Sequence, residues 1–177
     1  MKMAIFKIIT RKGEKNYVKL YERLNYILNA ASTRKELIYG QFVSTVNPYP
    51  EMMLAKKSNM DQKGGWNPFQ GVAFYEAVVS LSLDDDSDVY DLFYTMVEIN
   101  QMFSNYNGDH YQVLSSVHIN TDNLHVHFVV NNTDFITGKR FSNSESTFYD
   151  IVDHLNCILK RNGYSLIDID TGRNTGE

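Results

Sequence analysis

Residues 111–132, "YQVLSSVHINTDNLHVHFVVNN", constrain the fold more than any other stretch of the chain. Two β-prone runs, "YQVLSSVHI" and "LHVHFVVNN", flank the polar residues "NTDN". A gap that short joins neighbouring antiparallel strands, so the pair is expected to form a hairpin. The second run reads as a buried strand, yet it carries His125 and His127 at positions where valine would pack better. Residues two apart on a strand point to the same face. Two imidazoles therefore project together, and His118 on the companion run can reach the same face.

The rest of the chain surrounds this hairpin with alternating strands and helices. "AIFKII" is expected to be a strand, and residues 16–31 a helix whose stripe runs through Tyr17, Leu20, Tyr21, Leu24, Leu28 and Ala31. "LIYGQFVST" reads as a strand, and a short helix follows Pro48 and Pro50 through Met53 and Ala55. "KSNMDQKGGWNPFQG" is expected to be a polar loop, and "VAFYEAVVSLSL" a long strand. The acids of "DDDSD" suit the start of a helix striped by Val89, Leu92, Phe93, Met96, Ile99 and Phe103. A last amphipathic helix runs through Phe148, Ile151, Val152, Leu155, Ile158 and Leu159 to a stop at Gly163. "YSLIDID" is a candidate final strand. Hairpin-paired strands with helices between them define an α+β class with a central, mainly antiparallel sheet flanked by helices. One domain over residues 1–170 and a flexible tail over 171–177 account for the length, and the chain is open to being a piece of a longer protein.

Composition narrows the function through its distribution. The net charge of −4 argues against a nucleic-acid binder, but residues 1–57 hold 11 of the 17 Lys and Arg and four of the 21 acids. That leaves +7 in the first third and −11 in the remainder. Such asymmetry suits an anionic ligand gripped by one part of a fold, and it also suits an ordinary mixed surface. The single cysteine, Cys157, excludes an internal disulfide and points to a reducing compartment. The N-terminal apolar stretch is too short for a signal peptide and no window reaches membrane-spanning length, so a cytoplasmic protein without membrane insertion is expected.

Three neutral imidazoles converging from one hairpin form a divalent-metal site with positions left open for substrate or water. The competing reading is a polar stripe on a solvent-facing sheet edge. His110 and His154 stand outside the cluster.

"VHINTDNLHVHFVVNN" resembles the third motif of conjugative and mobilisation relaxases, the P-class tyrosine endonucleases with a histidine-hydrophobe-histidine signature. The motif maps onto His118, Leu124, His125, His127 and Asn131. Similarity extends through "YGQFVSTVNPYPEMMLAKK", "DFITGKRF" and "FYDIVDHLNCILKRNGYSLI", and so covers most of the chain. The family usually has an aspartate two residues after the first histidine, where this chain has Asn120. An asparagine keeps the size without the charge, which would weaken support of a metal-binding histidine; Asp122 is the nearby carboxylate that could compensate.

The resemblance also implies a nucleophile, Tyr26 in "RLNYILN". On the helix, Tyr26 lies roughly 160–180° from the centre of the stripe, which displays it beside Lys19, Glu22 and Arg23 while Tyr17 and Tyr21 face the core. Exposed tyrosines are common, so display alone assigns no role; the family match does. A phenol is a weak nucleophile at neutral pH, and a metal on the scissile phosphate would compensate. The implied reaction nicks one DNA strand at a transfer origin and leaves a covalent 5′-phosphotyrosyl link that can later be reversed. Conjugative transfer or mobilisation of a plasmid or integrative element in a bacterial cytoplasm would be the setting. Origin DNA, a relaxosome accessory protein and a coupling protein of type IV secretion machinery are the implied partners.

Ser80 occupies the place of a DNA-contacting serine in the family's second motif, with Ser82 as a rival. Lys19, Arg23, Arg34, Lys35, Lys56 and Lys57 are candidate phosphate contacts, joined by Lys139 and Arg140. Tyr39, Phe42 and Trp66 are candidate stacking surfaces. Asn120, Asp122 and Asn131 are the candidate supports of the metal ligands. Three rivals remain. A rolling-circle initiator or single-strand transposase of the same chemistry would use Tyr149 or Tyr164. A non-catalytic DNA-binding relative would need no metal, and a metal-dependent hydrolase would need no tyrosine.

Overall fold

The computed structural model describes residues 4–9, 17–62, 71–81, 88–121, 124–142 and 144–167. Its elements are β1 (Ala4–Ile9), α1 (Tyr17–Ile27), β2 (Ile38–Gln41), α2 (Pro48–Gln62), β3 (Phe74–Leu81), α3 (Val89–Ser104), β4 (Tyr111–His118), β5 (His125–Asp134) and α4 (Glu145–Arg161). The strands form one five-stranded sheet in the order β1-β3-β5-β4-β2. Every pairing is antiparallel, in agreement with the α+β expectation. β5 is central, so both of its edges are covered and its face residues are almost all buried.

Strand alternation divides the sheet into two faces with different jobs. One face of β3, β4 and β5 presents Ala77, Val79, Val113, Val117, Val126, Phe128 and Val130 to α3 and α4. The α3 stripe buries Leu92, Met96, Ile99 and Phe103, as its spacing requires. Asp88 caps this helix by accepting from the Tyr90 amide. Ser144 caps α4 through the Thr147 amide, and Gly163, at φ +78°, closes it. The opposite face presents Leu114 and Val129 to a smaller cluster built from Leu20, Leu24 and Ile27 of α1 and Met52 of α2.

Three details depart from the sequence reading. The buried stripe of α1 is Leu20, Leu24 and Ile27, and Tyr21 is 52% exposed with its ring edge-on to Tyr49. α2 continues to Gln62 through residues expected to be loop. Lys56 and Asn59 are buried against the far end of β5, so tertiary contact sustains a helix without a regular apolar stripe. Residues 164–167 form no strand; Tyr164 and Ile167 pack into the α3/α4 core, and the Ile167 amide donates to Asn156. Among the described residues no helix is long and apolar enough to cross a membrane.

Candidate metal centre and its tyrosine

Register brings the three histidines together. His118 ends β4 directly across from His125, and Ser116 stands across from His127. Their ring centroids are 4.5 Å apart for His118–His127, 5.0 Å for His125–His127 and 5.3 Å for His118–His125. One ring nitrogen from each lies within 4.8 Å of the others. Burial, reinforced by the neighbouring His127, pushes His118 down to about 4, so its ring is neutral at neutral pH and keeps a lone pair.

The donor set fits a divalent cation. His118 Nδ1 and His127 Nε2 are buried and have no hydrogen-bond partner. Leaving a buried polar nitrogen unsatisfied costs about 1–3 kcal/mol, and a bound cation would satisfy both. Three imidazoles leave coordination positions open, as a site that meets its substrate must.

The group that holds His127 is Glu76, which sequence reasoning missed. It is buried on β3, and its Oε1 lies 3.1 Å from His127 Nδ1. A carboxylate there accepts, so Nδ1 carries the proton and Nε2 the lone pair. Arg23 of α1 binds the same carboxylate with two donors: Nε to Oε2 at 2.8 Å, and Nη2 to Oε1. Burial alone would raise the Glu76 carboxyl, but the hydrogen bonds from His127 and Arg23 outweigh it and hold the group below its usual range. A lone acid inside "VAFYEAVV" looks like any solvent-facing strand residue. Only the register that pairs Val78 with His127 reveals its position.

Tyr26 stands over this centre. Its ring centroid is 5.2 Å from that of His118 and 5.3 Å from that of His127, and the side chain remains 41% exposed. The observed stripe, centred between Leu20, Leu24 and Ile27, places Tyr26 about 130° from its middle rather than opposite it. A residue at that angle can touch the sheet and still meet solvent. Two sheet contacts fix the helix end: Ser116 Oγ donates to the Ile27 carbonyl at 2.7 Å, and Arg23 reaches Glu76. The Arg23 guanidinium also lies 4.8 Å from the centre of the Tyr26 ring.

The remaining candidates separate by position along β5. Ser80 stands across from His125 and joins the site. Arg34 and Lys35 are exposed and follow Ser32 and Thr33, which bond to Ile119 and Val117 at the histidine end of β4. Asn120 is exposed in the turn two residues past His118, and Asp122 lies outside the described residues, as do Ser82 and Trp66. Asn131 does not support a metal ligand. It is four residues past His127, about 13 Å along the strand, and its amide donates to Met52 O and Gln112 Oε1. Lys139 and Arg140 lie beyond the far end of β5, where Lys139 pairs with Asp109 at 2.7 Å and Arg140 bridges to Thr133. Lys19 sits in the first turn of α1, near that end. Lys56 is fully buried, bound to Asn132 and Thr133, and therefore presents no charge to a phosphate. Phe42 is exposed but packs beside His110 and Phe135 at the far end, and Tyr39 is half-buried with its hydroxyl donating to Gln41.

Two histidines on the central strand of an antiparallel sheet and a third on its neighbour thus converge beside a tyrosine on a helix. The family model of the MobA/VirD2-like relaxase nuclease domain matches residues 26–164, and the chain belongs to that family. Its function is accordingly DNA nicking of the MobA/VirD2 type. No curated protein matches the sequence. Among solved structures, one described as the molecular basis of vancomycin resistance transfer in Staphylococcus aureus is similar over 93% of this chain and 96% of its own. The TM-score is 0.52 and the identity 16%, a likeness of fold.

Proposed function

We propose that this domain opens one strand of transfer-origin DNA through Tyr26, with His118, His125 and His127 holding a divalent cation, Mg²⁺ or Mn²⁺. The observation that carries the reading is the Tyr26 ring standing within 5.3 Å of two of three convergent histidines. When bound, the cation would supply Lewis-acid polarisation of the scissile phosphate and offset its developing negative charge. Tyr26 Oη forms a bond to phosphorus as the bond from phosphorus to the 3′ oxygen breaks. The phenol loses its proton, the 3′ oxygen ends as a hydroxyl, and the 5′ phosphate stays on the protein. One phosphodiester replaces another, so attack by a 3′-hydroxyl reverses the step and rejoins the strand.

Ser80, beside His125, and the exposed Arg34 and Lys35 contact the DNA near the nick in this reading. The setting is mobilisation of a plasmid or integrative element in a bacterial cytoplasm, with a relaxosome accessory protein and a secretion-linked coupling protein as partners. The position of α4 supports Tyr26 over the tyrosines that a replication initiator or transposase would use. Tyr149 and Tyr164 follow the histidine motif and belong to the layer on the opposite face of the sheet.

Mn²⁺ calorimetry needs no knowledge of the DNA target and comes first. One site is expected in the wild type, and none in His127→Ala. With DNA from the flanks of the gene, the wild type should form a covalent adduct that Tyr26→Phe lacks and Tyr149→Phe retains. Cleavage that survives Tyr26→Phe would replace the reading with a metal-dependent hydrolase. Oligonucleotide binding with no metal requirement and no adduct would replace it with a non-catalytic relative.

A further inference from the structure

The Arg23–Glu76 pair spans two parts of the site that nothing in the chain sequence links. Glu76 belongs to β3 and touches His127, whereas Arg23 belongs to α1, one turn before Tyr26. The matched family region begins at Tyr26, so Arg23 lies just outside it. The guanidinium binds the carboxylate through two donors and lies 4.8 Å from the Tyr26 ring centre. Two-donor geometry fixes orientation as well as distance, which a single ammonium contact would not.

From this geometry we infer that Arg23 and Glu76 are positioning residues. Glu76 fixes which nitrogen His127 turns toward the metal, and Arg23 carries that constraint to the Tyr26 ring. The inference rests on the metal-and-tyrosine reading above. It also gives Arg23 a task different from gripping a phosphate, because its Nε and Nη2 are committed to Glu76. The clamp has a mechanical purpose. Tyr26 is 41% exposed and lies in the last turn of an 11-residue helix, where fraying would otherwise let the ring drift from the histidines. Ser116, bonded to the Ile27 carbonyl, anchors the backbone, while Arg23 anchors the side-chain face.

The test uses protein labelled with 3-fluorotyrosine, Mn²⁺ as the probe, and ¹⁹F NMR, with the Tyr26 line assigned by its loss in Tyr26→Phe. In the wild type, Mn²⁺ should bind and broaden that line, because the ring stands beside the site. Glu76→Gln should weaken Mn²⁺ about 10–100-fold. Arg23→Gln should weaken it by a smaller factor. At saturating Mn²⁺ it should also shift the Tyr26 line and reduce its broadening, with Arg23→Lys intermediate in both readouts. Circular dichroism melts separate these effects from loss of fold, and Arg23→Lys carries the test if Arg23→Gln unfolds. Wild-type Mn²⁺ affinity and an unchanged Tyr26 line in Arg23→Gln, with weaker oligothymidine binding, would make Arg23 a phosphate contact and overturn the clamp. A wild type that binds no Mn²⁺ would instead remove the metal reading on which the clamp stands.

Discussion

The two faces of β5 are built from alternate residues of one strand and do opposite things. Val126, Phe128 and Val130 face α3 and α4 and are at most 1% exposed. His125, His127, Val129, Asn131 and Thr133 face the side of α1 and α2. The first face satisfies itself by excluding water, and the second leaves ring nitrogens buried without partners. Stability and chemistry thus occupy the same ten residues without competing for the same side chains. A dense apolar layer behind the strand can tolerate the cost of an unsatisfied layer in front of it.

Neighbouring substitutions break the comparison most sharply. His127→Ala should remove detectable Mn²⁺ binding; it deletes a partnerless Nε2 but also the Nδ1 contact to buried Glu76, so the metal-free protein should lose only about 1–3 kcal/mol of stability. Phe128→Ala, one residue on, should do the reverse. It opens a cavity beside Phe103, whose ring centroid is 5.5 Å away, and should cost about 3–5 kcal/mol while the remaining folded protein still binds Mn²⁺. Urea titrations and Mn²⁺ calorimetry on the two variants measure both quantities. Equal losses in both would mean that the faces are not separable.

The contrast also explains what the sequence revealed. His125 and His127 stood out because strand alternation is a local rule, and imidazoles break an apolar run visibly. The caps at Asp88 and Ser144 and the stripes of α3 and α4 are local in the same sense. Glu76 and Arg23 did not stand out together, because they are 53 residues apart and meet only through sheet register and helix docking. The central place of β5 depends on β3 pairing with both β1 and β5, a long-range choice that no short segment encodes. The sequence of α1 offers two stripes, because Tyr17, Leu20, Tyr21, Leu24 and Leu28 satisfy helical spacing as well as Leu20, Leu24 and Ile27 do. The docking angle of α1 decides between the stripes, and with it how near Tyr26 comes to the histidines. Asn131 shares a face with His127, and face-sharing alone could not show that about 13 Å separates them.

A second comparison runs along the strand rather than across it. At the histidine end, His118 Nδ1 and His127 Nε2 are buried without partners; at the far end, a buried lysine is held by side chains of β5. Lys56 donates to Asn132 and Thr133. Burial, aided by the charge of Arg140, pushes it down to about 7 from an ordinary 10.5. An unfolded lysine holds its proton up to about pH 10.5, whereas the folded one gives it up near 7. Between those values the unfolded chain binds more protons, so stability should rise with pH by up to about 1.4 kcal/mol per unit. Lys56→Met should flatten that slope in urea titrations from pH 7 to 10. Arg140→Gln should shift its onset upward. A slope unchanged in Lys56→Met would assign the pH dependence to another group.

The smallest expected effect concerns surface charge at the two ends. Lys139 is paired with Asp109 at the far end and is well exposed. Exposed pairs contribute about 0–1 kcal/mol, so Lys139→Ala should barely change stability. Its position beyond the far end of β5 also predicts an unchanged affinity for oligothymidine. Arg34→Ala and Lys35→Ala, beside the histidine end, should each weaken that affinity and lower its salt dependence by about one ion per charge removed. Fluorescence anisotropy over a salt series compares the three. If Lys139→Ala loses as much slope as Arg34→Ala, the DNA path runs the full length of β5. The far end would then belong to the binding surface as well as to the core.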